Sequence, residues 1–179
     1  HGGVEKENLK KEDTNSLKKG LVNLERHILN IKKFGLEPIV AINHFALDTK
    51  KEIDVVLNFC KNMNVQVSEC KHWAMGGKGT TDLAKKVVKT CKDSKKGNFK
   101  LLYEDNLNLW DKIEKIVKEI YRGNGITANE DVKEQLKAFE NNGYKSLPVC
   151  IAKTQYSFST DPKLKGAPSD HEIPIREVR

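Results

Sequence analysis

Three stretches of the sequence gather side chains able to hold a ligand. In "AINHFALDT", the apolar run "EPIVAI" is followed at once by Asn43, His44, Phe45 and Asp48. In "HWAMGGKGTTDLA", Trp73 stands just before three glycines, Gly76, Gly77 and Gly79. In "CIAKTQYSFSTDP", an apolar run turns abruptly polar at Lys153, Thr154, Gln155, Tyr156, Ser157, Phe158 and Ser159. An ammonium, an amide and several hydroxyls in sequence offer donors that suit a phosphate or a carboxylate, or a turn bonded to itself. Glycines before a helix let backbone N–H groups converge on an anion, or simply make a flexible turn.

Each stretch has a plainer alternative. Asn43 and Asp48 after a buried strand resemble the base-reading loop of P-loop nucleotide hydrolases, yet Asp48 is expected to cap a helix in any case. Phe45 at a strand end is either core or a stacking surface. The glycine stretch is not a Walker A motif, because the first Gly is wrongly spaced and Lys78 is followed by Gly79 rather than Ser or Thr. Trp73 beside glycines reads as a ligand platform more than as a core plug. His1, His27, His44, His72 and His171 form no ligand pair at helical spacing, and no metal site is expected.

These residues need elements to position them. Leu17, Leu21, Leu24, Ile28 and Ile31 repeat at 4-3-4-3 and predict a helix, capped by Asp13 or Thr14 and ended by Gly35. "EPIVAI" predicts a strand, and Asp48 or Thr49 the cap of a second helix through Ile53, Val56, Leu57 and Cys60. "VQVSE" is the next strand. Thr80 or Thr81 caps a third helix with Leu83, Val87 and Cys91; "KDSKKGN" is a charged surface loop. "FKLLY" predicts a strand, Ile113 to Ile120 a fourth helix, Val132 to Phe139 a fifth, and "LPVCIA" and "EIPIREV" two more strands. Strands alternating with helices imply an α/β fold with a mostly parallel sheet flanked by helices. Ligands bind such sheets at the carboxyl ends of the strands, which is where all three stretches fall.

The 179 residues suffice to bury a core. The net charge of +7 is spread over helix faces as lysine, without the aromatic interleaving of a nucleic-acid stripe, so no nucleic acid is expected and a solvated surface is. No run of 18 apolar residues exists, and no membrane span is expected. Cys60, Cys70, Cys91 and Cys150 lack zinc spacing, and three sit in apolar patterns, which points to buried, reduced thiols and a reducing compartment. Both ends read as cut, so a segment of a longer chain is expected.

Taken in order, "HGG", "NLERHILNIKKFG", "VAINHFALDT", "HWAMGGKG", "DLA", "KIEKIVKEIY", "VCIAKTQYSFSTDP" and "GAP" resemble the formate–tetrahydrofolate ligases almost end to end. The wording "CKHWAMGGKG" is nearer the ligase portion of trifunctional C1-tetrahydrofolate synthases than the usual bacterial wording. The resemblance implies a segment of a larger, multi-domain P-loop-type ligase. In it ATP, with Mg2+, phosphorylates formate, and the formyl phosphate then formylates tetrahydrofolate. It implies formate, ATP and tetrahydrofolate as ligands, a monovalent cation in the parent enzyme, a homo-oligomer, and a cytoplasmic protein or one of an organelle such as the mitochondrion. It places the phosphate-binding loop and the basic residue that holds formyl phosphate upstream of this segment, a Pro-Gly-Leu-Pro region downstream of it, and the catalytic groups largely elsewhere, so the segment is expected to be inactive alone. It assigns Phe45 and Trp73 to the two faces of the pterin. Asn43, Asp48, Gly76, Gly77, Gly79, Lys153, Thr154 and Gln155 are candidates for nucleotide or phosphate contact, and the "KTQYSFSTDP" run for a wall of the nucleotide and folate cleft. Residues 1–75 are expected to end a large α/β domain and 76–179 to form a second region lining the cleft. The sequence departs from the family at Ala46, where many members have Pro, a difference that bears on loop rigidity. A non-catalytic folate- or nucleotide-binding fragment is the alternative reading, and a basic nucleic-acid-binding protein rests on charge alone.

Overall fold

Parallel pairing of two short strands organises the first part of the computed structural model, which describes residues 1–94 and 98–179. β1 (Ile39–Asn43) and β2 (Gln66–Cys70) pair in register from Ile39↔Gln66 to Asn43↔Cys70. The connection between them is α2 (Lys50–Asn62), so the three elements form the βαβ unit that parallel pairing requires. α1 (Thr14–Lys33) packs on α2, and Leu21, Ile28, Ile53, Cys60, Val65 and Cys70 make the buried core. Asp13 caps α1, its side chain accepting from Ser16 N at 2.9 Å. Gly35 follows the helix end at φ +73°, and a Cβ there would lie 1.8 Å from the carbonyl oxygen of Asn98, so only glycine fits.

The cap of α2 is Thr49, in a capping box with Glu52. Asp48 does not cap the helix, against expectation; it folds back on Phe45. Glu52 also accepts from Asp13 N at 3.0 Å, which ties the starts of α1 and α2 together.

After β2 come the single turn α3 (His72–Met75), a 3-10 turn at Gly76–Thr80, and α4 (Thr81–Asp93). Neither threonine caps α4 through its side chain: Thr80 Oγ1 donates to Gly77 O and Thr81 Oγ1 to Lys78 O, both at 3.1 Å. α4 contributes no buried residue, and Val87 and Val88 are exposed. It is held to β2 by polar contacts instead. Ser68 donates to Asp82, Lys86 Nζ reaches Asp82 at 2.6 Å and the Val67 carbonyl at 2.7 Å, and Gln66 donates to Thr90 at 2.9 Å. The middle of the expected charged loop, residues 95–97, lies outside the described residues.

The chain divides into two compact units, His1–Lys100 and Leu101–Arg179. Residues 76–100, assigned on sequence to the second region, thus belong to the first unit. In the second unit, α5 (Leu109–Ile116) continues as a π turn over Val117–Tyr121, and α6 (Glu130–Asn141) follows. Asn108 and Asn129 cap the two helices through their side-chain oxygens. Leu109, Ile113, Val132 and Leu136 form the core. β3 (Gly125–Ala128) pairs in parallel with β4 (Glu172–Ile175), and Pro174 sits opposite Thr127 on this two-stranded edge, where a missing N–H is tolerated. α/β architecture with short parallel sheets flanked by helices is therefore what the sequence builds.

Two expected strands are not formed. "FKLLY" and "LPVCIA" are irregular, because neither has a ladder partner among the described residues. Tyr103 links them by its side chain: its hydroxyl accepts from Val149 N at 2.9 Å. Lys112 is fully buried and donates to the carbonyls of Lys145 and Leu147 at 2.7 and 3.0 Å. β3 was not expected: no strand is read on sequence between the fourth and fifth helices. All four cysteines are free; Cys60 and Cys70 are buried as expected, whereas Cys91 and Cys150 are exposed.

The polar seam under α4 yields a pH prediction. Lys86 first, and then Ser68, hold the Asp82 carboxyl below the usual aspartate range. A lowered folded pKa stabilises fully above the ordinary value and is lost as pH falls through the lowered one. The protection of α4 amides against hydrogen exchange, taken relative to the intrinsic rate at each pH, should therefore fall in acid ahead of that of α1 and α2. Asp82→Asn should give the lower protection already at neutral pH. An α4 protected alike in both proteins at both pH values would show that the seam does not hold it.

Candidate functional site

The register Asn43↔Cys70 ends β1 and β2 level, about 4.8 Å apart. One further rung, His44 N to Cys70 O at 3.0 Å, closes the ladder. From this edge the chain leaves in two directions, into residues 44–49 and into residues 71–80.

On the first path, Asp48 and Phe45 clasp each other. Phe45 N donates to Asp48 Oδ2 at 2.8 Å, and Asp48 N donates to Phe45 O at 3.0 Å. The carboxylate thus fixes the backbone that carries the Phe45 ring, while Thr49 starts the helix. The second path is a closed loop. Lys71 N donates to Gly79 O at 3.1 Å, and a Cβ on Gly79 would lie 2.5 Å from the Lys71 carbonyl carbon. Glycine is required at that neck for the two backbones to touch. Gly76 takes φ +55° and ψ −142°, a conformation side chains avoid, and turns the chain out of α3. Gly77 has open space around it.

These two constructions bring Phe45 and Trp73 together as a tilted pair. Their ring centroids are 6.2 Å apart with planes inclined by 38°. Phe45 is 51% exposed and Trp73 73% exposed, so neither is a core plug. His72 lies against the same indole, 6.0 Å between centroids. The two rings form an exposed, tilted aromatic pair at the end of the sheet. Stacking a flat ring between them needs about 7–8 Å, twice the optimal carbon–carbon separation of about 3.5–4.0 Å.

The same edge carries charge. Glu69 Oε1 lies 2.6 Å from His44 Nδ1 and 3.1 Å from Lys71 Nζ. Lys71 first, then His44, holds the Glu69 carboxyl below the usual glutamate range. An ionised carboxylate can only accept, so His44 Nδ1 carries the hydrogen. Reading the sequence for ligand-holding types passed over Glu69 and Lys71; the alternation of "VQVSECK" puts both on one strand face and was the available signal. Asn43 is exposed at the end of β1.

In the second unit, the polar stretch leaves no strand and is largely bonded to itself. Thr154 Oγ1 donates to Ser159 O at 2.8 Å and accepts from Tyr156 N at 3.1 Å. Ser159 Oγ accepts from Asp161 N at 2.8 Å. Phe158 is buried, edge-on to Tyr121 with centroids 6.3 Å apart, and His171 Nε2 donates to its carbonyl at 2.8 Å. The apolar ring inside the polar run is thus the plug that holds it down. Lys153 and Gln155 remain exposed.

Among the described residues, no helix is long and apolar enough to cross a membrane. The family model of formate–tetrahydrofolate ligase matches residues 1–179. A formate–tetrahydrofolate ligase of Pelagibacter ubique is 53% identical over 179 residues, covering 100% of this chain and 32% of that protein. Those of Sinorhizobium medicae and Staphylococcus aureus (strain JH9) are 49% and 52% identical, covering 100% and 99% of this chain and 31% and 32% of theirs. The chain spans about a third of the length of the curated relatives it matches. With a family model matched from the first residue to the last and about half of all positions identical, the chain belongs to the formate–tetrahydrofolate ligase family.

Proposed function

We propose that this chain is a segment of an ATP-dependent ligase that joins formate to tetrahydrofolate, and that Phe45 and Trp73 are the two walls that hold the pterin ring. The observation that carries the reading is the exposed, tilted pair, each ring fixed by its own backbone device. The rings part by about 1–2 Å to admit a flat heterocycle.

In the reaction, formate attacks the γ-phosphorus of ATP and ADP leaves, giving formyl phosphate. The N10 amine then attacks the formyl carbon, phosphate departs, and the amine loses its proton. Both steps need the reactants held in line, and a stacked pterin fixes one of them. The glycine turn at residues 76–79, with Asn43, is proposed to meet the nucleotide or a phosphate, while Asp48 acts by holding Phe45. Lys153 and Gln155 are proposed as anion contacts, with Thr154 setting their turn. Mg2+ arrives with ATP and needs no protein cage of its own.

The test is Trp73→Ala in the full-length enzyme. Losing one wall removes about 1–3 kcal/mol of stacking and ring burial. The KM for tetrahydrofolate should rise roughly five- to 150-fold while that for ATP holds. An equal rise for both substrates would remove the stacking role. The 179-residue chain alone should form no ADP from ATP and formate, because it contains no Gly-x-x-x-x-Gly-Lys-Ser/Thr loop. Formate-dependent turnover by this chain would place the phosphate site within these residues. A full-length protein that binds tetrahydrofolate but forms no ADP would instead favour a binding module.

A further inference from the structure

The charged group beside the aromatic pair has no part in the contacts proposed so far. Glu69 stands opposite Ile42 in the parallel register, and His44 and Lys71 each lie two residues further on, so all three share one face at the carboxyl edge of the sheet. One oxygen, Glu69 Oε1, receives both His44 Nδ1 at 2.6 Å and Lys71 Nζ at 3.1 Å. His44 immediately precedes Phe45. Lys71 is the neck of the closed loop that carries Trp73, its own N–H bonded to Gly79. A single carboxylate therefore ties the root of one wall to the root of the other. It does so just past the last rung of the ladder, His44 N to Cys70 O.

We propose that Glu69 is a positioning residue that sets the spacing of the two aromatic walls. The proposal rests on the reading of Phe45 and Trp73 as the folate slot. The side chains of Glu69 and His44 are about a quarter to a third exposed, 30% and 26%, so the bridge is partly shielded from water. Its charge lets it lengthen without being lost, since an ion pair weakens more gradually with distance than a neutral hydrogen bond. The walls can then part for a ring and remain in register. Without the carboxylate, His44 and Lys71 are two neighbouring donors with no shared acceptor, and the backbone rung from His44 N to Cys70 O alone still joins the two connections at this edge.

The experiment uses the full-length ligase. Glu69→Gln keeps the size and removes the charge. It should raise the KM for tetrahydrofolate roughly two- to fivefold, the scale of one partly exposed ion pair, while the KM for ATP and the Tm stay unchanged. Glu69→Asp, charged but one methylene shorter, should fall between. Phe45→Ala and Trp73→Ala are measured alongside. If they weaken tetrahydrofolate and Glu69→Gln does not, the positioning role fails and the slot stands. If neither wall variant affects tetrahydrofolate, the slot fails and this inference with it. If Glu69→Gln raises both KM values or lowers Tm, Glu69 is a structural residue only. Should that variant not fold, Lys71→Met removes the other end of the bridge and must give the same selective rise; an equal effect on ATP overturns the proposal.

Discussion

Everything at the candidate site depends on the level ending of two parallel strands. Because Asn43 pairs with Cys70, the chain leaves both strands at the same height and at one strand spacing. A slip by one residue would turn Phe45's loop to the other face, and the two rings would no longer meet. The register is in turn set by burial, since Ser68 and Cys70 must point inward and Cys60 and Val65 pack nearby. The core therefore decides where the aromatic walls stand.

On that base, exposed rings are held by rigid backbone rather than by packing. Burial normally fixes an aromatic side chain, but Phe45 and Trp73 are exposed. Here the Asp48–Phe45 clasp and the Lys71–Gly79 neck supply the order that burial does not. α4, which follows the neck, is held to β2 by the Ser68–Asp82–Lys86 seam rather than by apolar contact. The whole edge thus relies on hydrogen bonds and charge where a core would rely on area. Such regions open more easily than the core beneath them.

The sequence made part of this legible. The 4-3-4-3 stripe located α1, and apolar runs of the right length located β1 and β2; α1 and β2 each bury residues, whereas β1 is only half-buried. Phe45 and Trp73 stood out as large rings placed among polar residues and glycines. "FKLLY" and "LPVCIA" misled because an apolar run is only a candidate strand; it needs an edge to pair with, and periodicity does not report on edges. Asp48 misled because Asp and Thr both cap helices, and Thr49 had the glutamate three residues on that completes a box. Phe158 was hidden because a plug inside a polar run carries no period. Glu69 was missed because its contact with His44 forms across β1 and β2, which are far apart in sequence.

The most direct measurement is a crystal structure of the full-length protein with tetrahydrofolate. The account predicts the pterin lying between Phe45 and Trp73, with the two ring centroids parted from 6.2 Å to about 7–8 Å. A pterin bound elsewhere, with the two rings still in contact, would contradict it.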